Sequence, residues 1–194
     1  MKLFRRSVFF HEDDYCQQEI LPAAALSYCR SEIEKIDAFA SEHRAQDGIG
    51  WTDMYVRDAA PQPLVDLNIT RERFTELVGA FLEPFEKVTS GAGIHHEPVA
   101  NTTAFGYDAL CVILADWNAS GRVEHIWTSI FTDRPERLET TVRALQTLGE
   151  AFPLLYVDWA WSFVTPIDPT DALLTRIRDK LTELDQRSSR PAAD

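Results

Sequence analysis

The chain has 194 residues, 45% hydrophobic and 26% charged, which gives enough apolar material for one substantial core and argues against disorder. Against 19 Lys and Arg stand 31 Asp and Glu, a formal net charge of −12. Such a surface repels phosphate backbones and anionic headgroups, so nucleic acid and membrane are not expected as partners, whereas a basic protein is.

Met1 to Phe10 opens with basic residues as a signal peptide would, but His11, Glu12, Asp13 and Asp14 interrupt it before any long apolar run. No later run approaches the ~20 apolar residues of a membrane helix. A cytoplasmic location is therefore expected, and the Asn-x-Ser/Thr triplets at Asn68, Asn101 and Asn118 are read as accidents of composition. Cys16, Cys29 and Cys111 form no CxxC pair, and Cys29 and Cys111 fall in apolar surroundings where thiols act as small hydrophobes, consistent with a reducing compartment.

Lys2 to Phe10 and Tyr15 to Leu21 read as short strands around the acidic turn. Pro22 suits the first turn of a helix whose stripe is Leu26, Cys29, Ile33, Ile36 and Ala40, ending near Arg44. Gly48 and Gly50 break it. Trp51 to Asp58 then alternates like a half-buried strand, and Leu64 to Ile69 reads as another. Thr70 can cap a second helix carrying Phe74, Leu77, Val78, Phe81 and Leu82, ending near Pro84. Lys87 to Ala100, with Gly91, Gly93 and Pro98, is expected to be a loop.

Tyr107 to Trp117 is nearly continuously apolar from Ala109 to Ala115, a central strand, and the turn Asn118 to Gly121 folds it into a hairpin with Val123 to Phe131. Asp133 and Pro135 open a third helix with Leu138, Val142, Leu145 and Leu148 on one face. Leu154 to Thr165 follows as a strand with Leu155, Val157, Trp159, Trp161 and Phe163 on one face. Asp168 to Asp171 starts a last helix bearing Leu174, Ile177, Leu181 and Leu184. The fold class expected is α+β, a mostly antiparallel sheet of about five to seven strands flanked by about four helices, with residues 1–187 as one domain and 188–194 as a frayed tail.

Phosphate-cradling glycine patterns and a G-x-S-x-G elbow are absent, so neither nucleotide binding nor serine or cysteine hydrolysis is supported, and no cofactor is expected. Two His-acid clusters remain, His11 with Glu12, Asp13 and Asp14, and His95 with His96 and Glu97. A metal-dependent hydrolase would need these turns to converge, yet neighbours in an extended segment point to opposite sides, so His95 and His96 would not naturally bind one ion. Asp108 and Asp116 flank one apolar strand and Asp158 interrupts another, which makes them candidates for a buried acid of raised pKa. Of the five tryptophans, Trp51 follows the glycine break and precedes Asp53 and Tyr55, and is the one expected at the surface, as in an interface hot spot.

The strand Leu154 to Phe163, which holds the pair Asp158 and Trp159 and leads toward the last helix, resembles the closing strand of some small acidic immunity proteins of bacterial polymorphic-toxin systems. The resemblance implies a non-enzymatic protein that binds a toxin domain and covers its active site. The residues expected to meet a basic partner are Glu12, Asp13, Asp14, Trp51, Asp53 and Tyr55. An adaptor or regulatory module, or the metal-dependent hydrolase, are the alternatives.

Overall fold

The computed structural model of the chain describes residues 6–45, 50–58, 60–92 and 95–188, without the side chains of 187 and 188. Among them run β1 (Ser7–His11), β2 (Gln18–Pro22), α1 (Leu26–Glu42), α2 (Arg71–Gly79), β3 (Lys87–Gly91), β4 (Glu97–Pro98), β5 (Thr102–Asp108), β6 (Cys111–Trp117), β7 (Val123–Ile130), α3 (Pro135–Ala151), β8 (Leu154–Asp158), β9 (Phe163–Pro166) and α4 (Ala172–Ser188). The α+β class expected from the sequence is observed. A six-stranded antiparallel sheet has the order β5-β6-β7-β2-β8-β9, and a smaller sheet has the order β1-β3-β4 with β1 parallel to β3.

Period-two alternation gives the large sheet two apolar faces. Ile20, Ile113, Ala115, Ile126, Ile130 and Tyr156 face the buried sides of α2, α3 and α4. The opposite face is divided between two coverings. Val112, Leu114 and Trp127 pack against Val8 and Val88 of the small sheet, whereas Leu21, Leu155, Val157 and Trp159 pack against Ala25 and Cys29 at the start of α1. Between these coverings part of the face, including Glu19 and His125, stays open, and this gap positions the groove described below.

Local chemistry accounts for the elements. The Thr70 side chain accepts from Arg73 N at 3.3 Å and starts α2, and Pro135 occupies the first position of α3, where its missing N–H costs nothing. In the β6–β7 turn, Asn118 Oδ1 accepts from Ser120 N, Ser120 Oγ and Arg122 N, while Gly121 supplies the left-handed backbone (φ +73°). Gly149 lets α3 approach the chain before α4, since a Cβ there would lie 2.1 Å from the Ile167 carbonyl oxygen.

Several local expectations are corrected. Pro22 closes β2 instead of opening a helix, and α1 begins at Leu26 after a 3-10 turn over Ala23–Ala25. Leu64–Leu67 is a 3-10 turn ended by Asn68 in the left-handed region (φ +54°). The expected loop over Lys87 to Ala100 contains β3 and β4, because β1 comes alongside from far away in sequence. The expected strand from Tyr107 holds a turn, with Asp108 accepting from Leu110 N, and β5 precedes it. Leu154 to Thr165 is a hairpin: Asp158 Oδ1 captures Trp161 N at 2.9 Å and Ser162 adopts φ +53°, so the chain reverses. Trp159 consequently packs toward α1 and Trp161 toward the other core. Gly48, Gly93, residues 2–5 and 189–194 lie outside the described residues.

Among the described residues, no helix is long and apolar enough to cross a membrane.

Candidate functional site

Residues 50–58, expected as a half-buried strand, join neither sheet, and exposure alternates only over Met54 to Asp58, with Gly50 to Asp53 exposed throughout; apart from Trp51 bridged to Arg44, side chains hold them. Tyr55 Oη donates to Glu32 Oε1 at 2.6 Å, Arg57 reaches both Glu19 Oε2 and the Cys16 carbonyl at 3.2 Å, and the Tyr28 hydroxyl donates to the Asp58 carbonyl. The anchors at Tyr55 and Arg57 turn Met54 and Val56 outward, and Trp51 lies before them at the bridge with Arg44. Trp51 is 64% exposed, Met54 79% and Val56 78%, a density of apolar exposure that single scattered surface residues do not produce. The strap lies over α1, and Trp51, Met54 and Tyr55 border a depression of about 420 Å³ with Ile36, Phe39 and Trp159; Asp37 and Asp53 sit on its wall.

Glu32, where Tyr55 anchors, is a buried carboxylate. Burial pushes its pKa up, but hydrogen bonds from Tyr55 and Lys35 and the charges of Lys35 and Arg57 outweigh this and hold it below its ordinary value. The same bond to Glu32, with burial next, pushes the Tyr55 phenol up to about 12. Tyr55 is thus a donor to an anion throughout the physiological range.

Of the residues expected to bind a partner, Trp51, Asp53 and Tyr55 come together on this strap. Glu12, Asp13 and Asp14 form an exposed 3-10 turn between β1 and β2, and Asp14 borders a separate depression with Phe9, Phe10 and Leu110. His11 Nδ1 accepts from Asp13 N at 3.2 Å, and His96 stacks on Phe9 at 4.2 Å. Neither His95 nor His96 joins His11 in a set of three close ligand atoms among the described residues.

Such a set does exist elsewhere. In the open gap of the sheet, ligand atoms of Cys16, Glu19 and His125 all lie within 4.8 Å of one another. Glu19 pairs with Trp127 across β2 and β7, which makes His125, two residues from Trp127, its diagonal neighbour on the same face. Cys16 sits just before β2 in the left-handed region (φ +55°), unusual for a residue with a Cβ, and Arg57 holds its carbonyl. The three open onto a cavity of about 340 Å³ bordered also by Tyr15, Tyr28, Arg57 and Gln62. Arg57 lies over the Trp159 ring at 4.2 Å, and Trp159 Nε1 donates to Glu19 Oε2 at 2.9 Å.

The field here opposes a cysteine nucleophile. Burial, then the Glu19 charge, raises the Cys16 pKa far above its usual value, so the group is a thiol, whereas attack requires the thiolate. Burial also raises the Tyr15 phenol, with Cys16 and Asp116 adding to it, and Tyr15 donates to Asp116 Oδ2 at 2.9 Å. Sequence reading missed this convergence. Its only sequence signals are Cys16 and Glu19 three residues apart and a polar His125 facing away from Ile126 in an apolar strand.

The chain matches no protein-family model, no curated protein and no solved structure.

Proposed function

We propose that this chain is a non-enzymatic binding protein that presents the strap over residues 50–58 to a basic protein surface. The most concrete form is an immunity protein that neutralises a cognate toxin domain in the cytoplasm by covering its active site. One observation carries the reading: Trp51, Met54 and Val56 are all exposed within six residues while Tyr55 and Arg57 anchor the segment inward. A strap anchored by Tyr55 and Arg57 has less freedom to lose on binding, and an exposed tryptophan near a flexible thioether is the composition of an interface hot spot. The net charge of −12, with Asp37 and Asp53 beside the apolar residues, favours a cationic occupant and speeds its encounter.

The test is co-expression with the product of the adjacent gene in a bacterial growth assay. Wild-type protein is expected to restore growth, and the Trp51→Ala, Met54→Ala double variant to fail at equal abundance. Restoration by the double variant would show that the strap is not the binding surface, and an adjacent product without toxicity or affinity would count against the immunity reading.

A further inference from the structure

We propose that Cys16, Glu19 and His125 form a binding site for a borderline-soft divalent cation, with Zn²⁺ the best match. Once Cys16 gives up its thiol proton on metal binding, the donor set is thiolate, carboxylate and imidazole, a mixture that suits zinc. Ordinary zinc–ligand lengths in a tetrahedron place ligand atoms roughly 3.3–3.8 Å apart. The observed limit of 4.8 Å therefore needs side-chain adjustment of only about 1 Å.

Three further features favour the assignment. Glu19 and His125 stand on adjacent hydrogen-bonded strands, so two ligands are fixed by the sheet and not by loops. Among the described residues both donors to Glu19, Arg57 and Trp159, go to Oε2, which fixes the carboxylate as outer-shell partners of metal ligands do and leaves Oε1 facing no donor among them. The cavity leaves room for a fourth ligand, and on its wall the Gln62 Oε1 atom is buried without a hydrogen-bond partner. With three protein ligands and one open position, the site has the coordination pattern of zinc centres that keep a water or take up an external ligand. It is independent of whether a protein docks on the strap.

The experiment uses the full chain after chelator treatment, titrated with Zn²⁺ against a chromophoric chelator, and with Co²⁺ as a spectroscopic substitute. One equivalent is expected to bind, and Co²⁺ to give the thiolate charge-transfer and tetrahedral d–d bands. Cys16→Ser should abolish the charge-transfer band. His125→Ala, at an exposed position and with its fold checked by circular dichroism, should weaken Zn²⁺ at least roughly 10–100-fold, the loss already seen for outer-shell partners. Absence of one-to-one binding in the micromolar range, or binding unchanged in His125→Ala, would overturn the assignment. Should Cys16→Ser misfold, His125→Ala and Glu19→Gln carry the test by the same readout.

Discussion

Asp158 gives the sharpest stability prediction. It is 1% exposed, and burial raises its pKa from 3.8 to about 6, against hydrogen bonds from Trp161 N, the Gln18 amide and Ala160 N and the distant charge of Lys180. Because the folded value exceeds the unfolded one, the native state holds the proton more tightly, and stability falls as pH rises through about 6. At about 1.4 kcal/mol per pH unit, the rise from 3.8 to about 6 makes this group worth roughly 3 kcal/mol over its full range. Between pH 5 and pH 7.5 the same linkage gives a loss of about 1.4 kcal/mol. Asp158→Asn keeps an acceptor for Trp161 N but cannot ionise, so its stability should lack that slope and exceed wild type at pH 7.5. Urea unfolding of both proteins at the two pH values isolates the effect; with a typical m-value near ~2 kcal/mol/M, the midpoint difference between them should change by roughly 0.7 M. Parallel pH dependence in the two proteins would refute the reasoning, since it would mean that Asp158 ionises as in water.

Gly149→Ala drives a methyl group into the Ile167 backbone and should cost about 1–3 kcal/mol, read as a lowered urea midpoint. Tyr55→Phe removes the hydrogen bond to the Glu32 carboxylate, a loss of about 1.5 kcal/mol that should lower Tm by roughly 3–6 °C and raise amide exchange over residues 50–58. Since the Glu32 pKa lies below its ordinary value, this contribution is present at neutral pH and fades as pH falls through that lowered value, so the difference between Tyr55→Phe and wild type should shrink in acid. Cys16, Cys29 and Cys111 are buried free thiols with raised pKa values, Cys29 at about 11, and a disulfide-exchange reagent at pH 7.5 should modify them only after denaturant is added.

What could be read from the sequence follows from how local each determinant is. The β6–β7 hairpin was legible because its apolar run and the Asn118 to Gly121 turn specify it within two dozen residues. The exposure of Trp51 was likewise legible from its immediate neighbours, whereas Asp158 was one of three candidate buried acids, with Asp108 and Asp116, and only the fold singles it out. Alternation over Trp51 to Asp58 was visible, but the absence of a ladder was not, because Glu32 and Glu19 replace strand partners at long range. The β8–β9 turn was hidden by Trp159 and Trp161, whose alternation runs on through the reversal while the two rings enter different cores. The Cys16, Glu19 and His125 set depends on β2 inserting between β7 and β8, a pairing that no local pattern encodes. Glu12 to Asp14 were read together with Asp53 as exposed acids that would meet a basic partner, yet charge carries no information on whether two turns share a surface.

The most direct test of the binding role is calorimetric titration of the purified adjacent-gene product with wild-type protein, Trp51→Ala and, as a control on another exposed apolar residue, Leu110→Ala. A hot-spot tryptophan is worth about 2 kcal/mol or more, so Trp51→Ala should weaken binding by roughly 30-fold or more while Leu110→Ala leaves it unchanged. Equal affinity of Trp51→Ala and wild type would contradict the assignment of the strap as the partner-binding surface.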